Sequence, residues 1–262
     1  MNILDEIVAN TKSKLEIKKS EIHIEELLSK IDNKSIEESN FKKSLLNKDE
    51  AIIAEIKKAS PSAGIISEDF DPVSKAKEYE SFGAAALSIL TEEDYFLGSI
   101  SYLVNVKKVS DLPILRKDFI IDKYQILESK IYQADCILLI LSILSDTQAM
   151  EFINYAHELK LDCIIEIHDE EELKRAIKLD YPVIGINNRN LKSLEINLNN
   201  SINLNKNLIN DYILIAESGI KTSDDIKKFN STGIYNFLIG ESLLKSKDKE
   251  KKIGELLLNE SY

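Results

Sequence analysis

The stretch Ala51-Ile-Ile-Ala-Glu-Ile-Lys-Lys-Ala-Ser-Pro-Ser-Ala-Gly64 joins an apolar run to a polar loop. In a β-strand, successive side chains point to opposite faces, so Glu55 and Lys57 share one face and Ile56 takes the other. A strand buried on both faces carries such a pair only if the charges line a cavity or compensate each other. The alternative is an ordinary ion pair on a half-exposed strand, because charge usually marks a solvated face. This stretch alone leaves both interpretations open.

The composition is that of a globular protein with enough apolar material for a sizeable core. Of the 262 residues, 44% are hydrophobic and 30% are charged, which does not indicate disorder. A chain of this length forms either two small domains or one α/β barrel. The net charge of −11 argues against nucleic acid and against an anionic membrane surface as partners. An anionic ligand therefore requires local positive charge.

The two cysteines and the amino terminus indicate the cellular setting. Cys136 and Cys163 lie in apolar runs without a Cys or His at metal-ligand spacing, so we expect buried thiols and no metal site. The amino terminus lacks a basic segment followed by an apolar one, and no apolar run approaches membrane-spanning length. We therefore expect a reducing, cytoplasmic location.

Two kinds of pattern follow one another along the chain. Residues 2 to about 48 place apolar side chains at helical spacing, which predicts amphipathic helices, and contain nothing that resembles a catalytic cluster. From Ala51 onward, short β-type runs alternate with longer helical patterns. The predicted strands cover 51–57, 85–90, 113–117, 135–141, 161–167, 182–187, 211–217 and 235–240. The predicted helices cover 72–82, 98–110, 122–133, 145–160, 169–179, 198–207, 222–230 and 241–257.

The alternation predicts the fold. Each connection is too long for a hairpin and long enough for a crossover helix, so the strands should be parallel. Eight strictly alternating units favour a closed (β/α)8 TIM barrel over an open doubly wound sheet. No glycine-rich dinucleotide fingerprint follows the first strand. We expect one domain over 1–262, with a helical extension over 1–48 and the barrel over 49–262.

Polar residues concentrate where six of the eight predicted strands end. In such barrels the active site lies at the carboxyl ends of the strands. A purely structural pattern would scatter charges over both ends of the strands, so this concentration favours a site. The strand-end residues are Glu55 and Lys57, Lys117, Glu166, Asn187 and Arg189, Glu217 with Ser218 and Gly219, and Gly240 with Glu241.

The last two strands suggest a phosphate site. Ser218-Gly219 and Gly240-Glu241 each place a flexible backbone just before a helix, where barrels commonly hold phosphate with backbone N–H groups. The alternative is that these glycines only form turns, since glycine after a strand is common. The chain has only eight glycines, which makes two at these positions more informative.

Six motifs together resemble the indole-3-glycerol phosphate synthase family of tryptophan biosynthesis. They are Glu55-Ile-Lys-Lys-Ala-Ser-Pro-Ser62, Ser88-Ile-Leu-Thr-Glu92, Ile114-Leu-Arg-Lys-Asp-Phe119, Gly185-Ile-Asn-Asn-Arg-Asn-Leu191, Glu217-Ser-Gly219 and Ile239-Gly-Glu-Ser-Leu243. Each motif is weak alone, but six in the family's order and spacing are specific. The resemblance runs from about residue 3 to the end and includes the helical extension.

The resemblance implies a reaction and a set of catalytic roles. The family converts 1-(2-carboxyphenylamino)-1-deoxyribulose 5-phosphate into indole-3-glycerol phosphate, carbon dioxide and water without a metal or organic cofactor. By position, Lys117 resembles the general acid of ring closure, and Lys57 the lysine that holds anionic groups and donates a later proton. Glu166 resembles the base or acid of dehydration. Glu55 completes the charge network, and Asn187 and Glu217 resemble orienting groups.

The resemblance also implies substrate contacts. Ser218, Gly219, Gly240 and Glu241 match the phosphate site through backbone amides, with Lys57 nearby. Some family members carry a smaller residue in place of Glu241, which should matter little for a backbone contact. Arg189 and Ser60 are candidates for the substrate's carboxylate or for adjacent loop contacts. Phe119 and Leu90 match residues that face the aromatic ring, with ordinary core lining as the alternative.

Two other classes of function remain as alternatives. A different phosphate-handling barrel, such as phosphoribosylanthranilate isomerase, does not explain Glu55, Lys57 and Lys117 together. A scaffold without catalytic activity has no reason to keep charged side chains at the carboxyl ends of its strands. His23 and His157 are expected on the surface, and a structural role is favoured for His168. The expected partner is a small phosphorylated substrate, and the oligomeric state stays open with a monomer favoured.

Overall fold

Eight parallel strands close into a barrel in the computed structural model, which describes residues 2–31, 37–46, 49–66, 69–190, 193–206, 208 and 212–258. The barrel strands are β1 (Ala51–Ile56), β4 (Ala86–Leu90), β5 (Ile114–Lys117), β6 (Cys136–Ile140), β7 (Asp162–Ile167), β8 (Val183–Asn187), β9 (Ile213–Glu217) and β10 (Asn236–Ile239). Strands β2 (Ala59–Ser60) and β3 (Gly64–Ile65) form a small antiparallel hairpin after β1. The predicted TIM barrel is confirmed.

The first strand closes the ring. In β1, Ala54 pairs in parallel with Leu87 of β4 on one side and with Ile239 of β10 on the other. Every residue of β1 is buried, so Glu55 lies inside the barrel and is not part of a half-exposed strand. The interpretation of Glu55 and Lys57 as an ordinary surface pair is therefore wrong.

Helices surround the barrel and precede it. They are α1 (Ile3–Glu21), α2 (Ile24–Ser29), α3 (Phe41–Leu46), α4 (Pro72–Ser81), α5 (Ser101–Lys107), α6 (Lys123–Ile131), α7 (Asp146–Glu158), α8 (Glu170–Leu179), α9 (Asn199–Asn205), α10 (Ser223–Asn230), α11 (Glu241–Lys245) and α12 (Lys249–Leu256). A short 3-10 helix covers Leu141–Ile143. None of the helices in the described ranges is both long and apolar enough to cross a bilayer.

Most predicted strands and helices differ from the observed ones by one to three residues at an end, and two of the differences have an identifiable setting. The helix predicted over 241–257 is divided into α11 and α12, because the Asp248 side chain accepts the backbone N–H of Lys251 and starts a new helix. The seventh barrel strand begins at Ile213 and not at 211, and residues 209–211 lie outside the described part of the chain. Such local capping bonds decide boundaries that apolar periodicity leaves open.

The barrel interior is closed at its amino-terminal end by α3. Phe41 and Leu45 of this helix pack in one apolar cluster with inward-facing strand residues such as Ile53, Leu115 and Ile164. Asp162, at the start of β7, fixes the helix by accepting the backbone N–H of Lys42 at 3.0 Å. The last segment before the barrel is therefore its floor. A second, larger cluster fills the space between the strands and the surrounding helices.

A buried arginine joins the outside of β5 to its neighbours. Arg116 is 2% exposed and donates to Asp118 Oδ2 at 3.0 Å and to Thr91 Oγ1 at 3.1 Å. Its Nη1 donates to the Ser129 hydroxyl at 3.1 Å and lies 3.5 Å from Glu128 Oε2. The guanidinium thus compensates two buried carboxylates on the loop after β5 and on α6.

Replacing Arg116 with leucine should destabilise the fold, because it leaves the buried carboxylate of Asp118 without its cation and that of Glu128 with Lys18 alone, at 3.5 Å. We expect the free energy of unfolding in urea to fall by about 3–5 kcal/mol. The control is Lys30→Ala, which removes an exposed ion pair with Glu26 and should change stability by less than about 1 kcal/mol. Equal urea midpoints for the two variants would contradict this account.

Candidate active site

All of the predicted site residues line one cavity of about 230 Å³ at the carboxyl ends of the barrel strands. The charged and polar members are Glu55, Lys57, Ser60, Lys117, Glu166, Asn187, Arg189, Glu217, Ser218 and Glu241. The others are Leu90, Phe119, Gly219 and Gly240. The barrel topology thus brings together side chains that lie up to 186 positions apart, from Glu55 to Glu241. Their individual roles remain predictions.

The first strand contributes an ion pair to this cavity. The Nζ of Lys57 contacts Oε2 of Glu55, and both side chains are largely buried. Burial would raise the pKa of Glu55, but the charges of Lys57 and Lys117 outweigh it and lower the pKa below its usual value. A Cβ at Gly240 would collide with the Glu55 carboxylate. Glycine at the end of β10 therefore leaves the space that this carboxylate occupies.

Lys117 lies between two further carboxylates. Its Nζ donates to Glu217 Oε2 at 2.9 Å and lies 3.6 Å from Glu166 Oε2. Burial would lower the pKa of Lys117, but the charges of Glu217, Glu166 and Glu55 outweigh it and raise the pKa above its usual value. The lysine is therefore held as an ammonium. A protonated lysine in a buried site can give a proton to a substrate oxygen or stabilise charge on it.

The two carboxylates beside Lys117 differ in their surroundings. Burial raises the pKa of Glu217 to about 7 because Lys117 only partly compensates it, and the charges of Glu166 and Glu55 add to the rise. Its Oε1 is buried without a hydrogen-bond partner, above the space left by Gly185. Burial also acts against ionisation of Glu166, but Lys117 and His168 outweigh it and lower the pKa of that carboxyl well below its usual value. Of Glu166 and Glu217, Glu166 is therefore the carboxylate that stays ionised as the pH falls below neutrality.

The loop after β9 has a constrained backbone. Ser218 adopts a left-handed conformation with φ of 67°, and Gly219 follows with φ of 85°. Side chains other than glycine rarely adopt this region. The Asn188 side chain donates to the Ser218 carbonyl at 3.3 Å, and its Oδ1 accepts from the Ser201 hydroxyl at 2.8 Å. Asn188 thus fixes the peptide that joins Ser218 to Gly219.

The remaining predicted polar residues lie at the rim. Arg189 donates to the Leu194 carbonyl at 3.1 Å, and its Nη2 lies 3.8 Å from Glu241 Oε2. Glu241 is paired more closely with Lys245, at 2.6 Å. Ser60 belongs to the hairpin after β1, where its hydroxyl lies 3.4 Å from that of Ser62. For Arg189 and Ser60, the sequence analysis offered either the substrate's carboxylate or adjacent loop contacts, and the contacts seen here are of the second kind.

An aromatic pair forms part of the apolar wall. The rings of Phe119 and Phe96 lie 6.1 Å apart at a tilted angle. Phe96 was not predicted, although it belongs to the loop directly after Ser88-Ile-Leu-Thr-Glu92. The Glu92 carboxylate accepts the backbone N–H groups of Tyr95 and Phe96, at 2.7 and 3.0 Å, and so shapes that loop. An aromatic residue just after this strand-end motif could have identified Phe96 as part of the cavity wall.

Helix α1 supplies residues that the sequence analysis missed. Ile3, Leu4 and Ile7 line the cavity, although the segment before the barrel contained no catalytic pattern. Lys14 lies 3.0 Å from Glu93 and 2.6 Å from Asp94, which places α1 over the loop that carries Phe96. These contacts join positions about 80 residues apart, so no local pattern indicated them.

Further apolar lining residues were also missed. They include Leu138, Ile140, Leu194, Ile196 and Leu238. Leu138 and Leu238 lie at inward-facing positions of predicted strands, and in-out alternation could have identified them. Leu194 and Ile196 lie in the irregular loop after β8, where no periodicity applies. The cavity thus combines a charged floor with largely apolar walls.

The histidines behave differently from one another. His23 and His157 are exposed, as predicted. His168 is largely buried, with Nε2 3.2 Å from Glu166 Oε1 and Nδ1 3.1 Å from Glu172 Oε2.

Cys136 and Cys163 are buried free thiols, as predicted. In the described ranges, no group of three or more His, Cys, Asp or Glu side chains is placed to hold a metal ion.

The fold and the charged cavity define a TIM-barrel enzyme with its site at the carboxyl ends of the strands. Solved structures with the same fold include 3-hexulose-6-phosphate synthase, with a TM-score of 0.64, 13% identity, and coverage of 79% of this chain and 98% of that one. Thiamine phosphate pyrophosphorylase from Pyrococcus furiosus matches with a TM-score of 0.59 and 15% identity over 81% of this chain and 95% of that one. At these identities the likeness shows the fold alone.

The sequence comparisons go further than the fold. The family model for indole-3-glycerol phosphate synthase matches residues 4–256. The indole-3-glycerol phosphate synthases of Thermoanaerobacter pseudethanolicus and Clostridium acetobutylicum are 46% and 44% identical to this chain, each over 97% of both sequences. The chain belongs to the indole-3-glycerol phosphate synthase family.

The buried carboxyl of Glu217 yields a prediction about stability and pH. Because its pKa is raised to about 7 in the fold, the folded protein binds a proton there that the unfolded chain releases near pH 4.5. Stability should therefore fall as pH rises from 4.5 to 7, and Glu217→Gln should escape this loss. Relative to the unmodified protein, the variant should gain on the order of 2–3 kcal/mol between pH 5 and pH 8.

Urea unfolding at the two pH values measures this difference. Glu171→Gln, at an exposed position of α8, is the control and should change stability equally little at both. If the stability of Glu217→Gln relative to the unmodified protein does not depend on pH, the carboxyl is ionised throughout, and the assignment of a raised pKa is wrong.

Proposed function

We propose that Lys117 is the general acid in the decarboxylating ring closure that this chain catalyses. Members of the family are decarboxylating lyases of tryptophan biosynthesis, and this chain acts on a small phosphorylated substrate as they do. Membership of this family excludes the two alternative functions, a barrel without catalytic activity and a phosphoribosylanthranilate isomerase. The substrate is 1-(2-carboxyphenylamino)-1-deoxyribulose 5-phosphate, and the products are indole-3-glycerol phosphate, carbon dioxide and water.

The observation that carries the role of Lys117 is its place among the buried carboxylates. Its Nζ is held 2.9 Å from Glu217 and 3.6 Å from Glu166 and lines the cavity. In ring closure, the aromatic carbon that bears the carboxylate attacks the ketose carbonyl carbon. The carbonyl oxygen gains negative charge, and the Lys117 ammonium gives it a proton. The new ring then loses its carboxylate as carbon dioxide, which restores aromaticity.

Dehydration completes the reaction. The hydroxyl formed in ring closure leaves as water with a proton, for which Lys57 is our proposed donor. The neighbouring carbon loses a proton to the ionised Glu166, and the indole double bond forms. Support for this division is that the pKa of Glu166 is lowered, so the carboxylate is ionised at neutral pH and has a free site for a proton. Asn187 donates to Glu166 Oε1 at 3.3 Å and keeps the carboxylate turned into the cavity.

The substrate would bind with its phosphate at the loops after β9 and β10 and its aromatic ring at the apolar wall. Backbone N–H groups of Gly219, Gly240 and Glu241 are our candidates for the phosphate, with Lys57 as the nearby cation. Phe119 and Leu90 would contact the ring, together with Phe96. The substrate's carboxylate would lie toward Arg189. We infer that the protein works in the cytoplasm as a monomer.

Replacing Lys117 with alanine tests the central role. We expect kcat to fall by about 10²–10⁴-fold, because the proton donor is lost, while KM changes much less. Indole fluorescence follows the reaction directly, since the chain has no tryptophan. The matched control is Lys123→Ala, which removes an exposed lysine on α6 and should leave kcat unchanged. Turnover of Lys117→Ala within a few-fold of the unmodified enzyme would refute the assignment.

Asn188 provides a separate test of the phosphate site. Without its bond to the Ser218 carbonyl, the peptide that presents the Gly219 N–H is free to rotate. We expect Asn188→Ala to raise KM about tenfold, the equivalent of one lost hydrogen bond of about 1.4 kcal/mol, with a smaller change in kcat. Asn205→Ala, which removes a similar amide-to-carbonyl bond to Thr232 outside the cavity, is the control. Equal KM values for the two variants would contradict the proposed phosphate site.

A further inference from the structure

His168 lies between two carboxylates that belong to different parts of the structure. Its Nδ1 lies 3.1 Å from Glu172 Oε2, and its Nε2 lies 3.2 Å from Glu166 Oε1. The contact with Glu166 lacks hydrogen-bond geometry, since Nε2 has no hydrogen-bond partner, and it is an ion pair when the ring is protonated. The side chain is only 13% exposed. A line of contacts therefore runs from α8, outside the barrel, through His168 to the carboxylate in the cavity.

Glu172 is itself held in place. Its Oε2 also accepts the backbone N–H of His168 at 2.8 Å, so one carboxylate oxygen fixes both the backbone and the ring of the histidine. The backbone N–H of Glu172 donates to Asp169, the N-cap of α8, at 2.9 Å. Glu172 is in the first turn of this helix, where a negative charge is favourable. It does not line the cavity and is not available to the substrate.

Polar side chains from several elements surround His168 and Glu166. Lys117 of β5 lies 3.6 Å from Glu166, and Asn187 of β8 donates to it at 3.3 Å. Asn200 of α9 donates to the His168 carbonyl at 3.0 Å and to the Asn187 carbonyl at 3.2 Å. The charged and titratable groups facing His168 and Glu166 are thus Glu172, Lys117 and, through Lys117, Glu217.

Lys117 alone cannot keep Glu166 ionised throughout the reaction. It is closer to Glu217 than to Glu166, and in the proposed mechanism it gives its proton to the substrate during ring closure. A neutral amine no longer compensates the Glu166 carboxylate, which is 2% exposed and would then take up a proton before dehydration. A second cation that takes no part in the proton transfers would prevent this.

We propose that His168 is a positioning residue whose cationic ring, oriented by Glu172, holds the carboxylate of Glu166 ionised and turned toward the cavity. This inference rests on the proposed function, in which Glu166 is the base of dehydration. It assigns to Glu172 a role outside the cavity and to His168 more than the structural role expected from the sequence. Burial would lower the pKa of His168, but the close carboxylates of Glu166 and Glu172 outweigh it and raise the pKa to about 10.

The charge on His168 can be measured without the reaction. The chain has three histidines, so protein labelled with ¹⁵N-histidine gives three pairs of imidazole nitrogen signals, which His23→Gln and His157→Gln assign. An unperturbed imidazole loses its proton between pH 5 and 8. We expect His168 to show imidazolium nitrogen shifts at pH 8 in the unmodified protein, and Glu172→Gln to move its titration to lower pH. A neutral His168 ring at pH 8 in the unmodified protein would overturn the inference.

The second readout is the pH dependence of turnover. In His168→Gln and Glu172→Gln, the acidic limb of kcat should move to higher pH by about one unit or more, because an adjacent opposite charge shifts a carboxyl pKa by about 1–3 units. Loss of packing alone would lower kcat equally at all pH values. Glu172→Gln keeps the shape of the side chain and tests the role if His168→Gln does not fold. The control, His157→Gln, should leave the profile unchanged.

The two readouts separate this inference from the proposed function. Acidic limbs that coincide in His168→Gln, Glu172→Gln and the unmodified enzyme would overturn the positioning role while leaving the synthase function intact. If the unmodified protein forms no indole product, the proposed function fails, and the imidazole titration still decides whether His168 is held as a cation between Glu166 and Glu172.

Discussion

The structure depends on placing one lysine among carboxylates inside an apolar barrel. Glu166 and Glu217 are buried and Lys117 is largely buried, and an isolated charge in such a place would be strongly unfavourable. The cluster is stable because its charges are distributed in pairs. Glu55 contacts Lys57, Glu166 contacts His168 and Lys117, and Glu217 contacts Lys117, with burial raising the pKa of Glu217 to about 7. The glycines beside the cluster leave space for these groups, and the helices at the two ends of the barrel shield them from solvent.

The backbone around the cluster is adapted to it. Gly185 and Gly240 are positions where a Cβ would collide with the carboxylates of Glu217 and Glu55. Above the cluster, α1 places Ile3 and Ile7 over the cavity, and below it α3 closes the barrel floor. The segment before the first strand therefore contributes to both ends of the barrel. The electrostatic interactions between these largely buried groups are stronger than they would be in water, because little solvent surrounds them.

Most of the barrel could be predicted from the sequence because its signals are local. Apolar runs bounded by helical patterns located the eight strands, and the helices predicted from 72 and from 222 start within one residue of those positions as α4 and α10, capped by Asp71 and Thr222. The charged strand ends could be predicted for the same reason, since parallel strands bring their carboxyl ends to one face. The break between α11 and α12 could not, because it depends on a single capping bond at Asp248. The place of α1 depends on ion pairs such as Lys14 with Glu93, and the ring of His168 is fixed by tertiary contacts. Neither of these leaves a periodic pattern.

All of these groups serve one reaction, in which this cavity closes an indole ring with loss of carbon dioxide. The most direct measurement follows indole fluorescence and released carbon dioxide together, with purified protein and 1-(2-carboxyphenylamino)-1-deoxyribulose 5-phosphate. We expect one carbon dioxide for each indole formed, near neutral pH and in the presence of a chelator. Consumption of the substrate without carbon dioxide, or no indole signal at any pH, would contradict it.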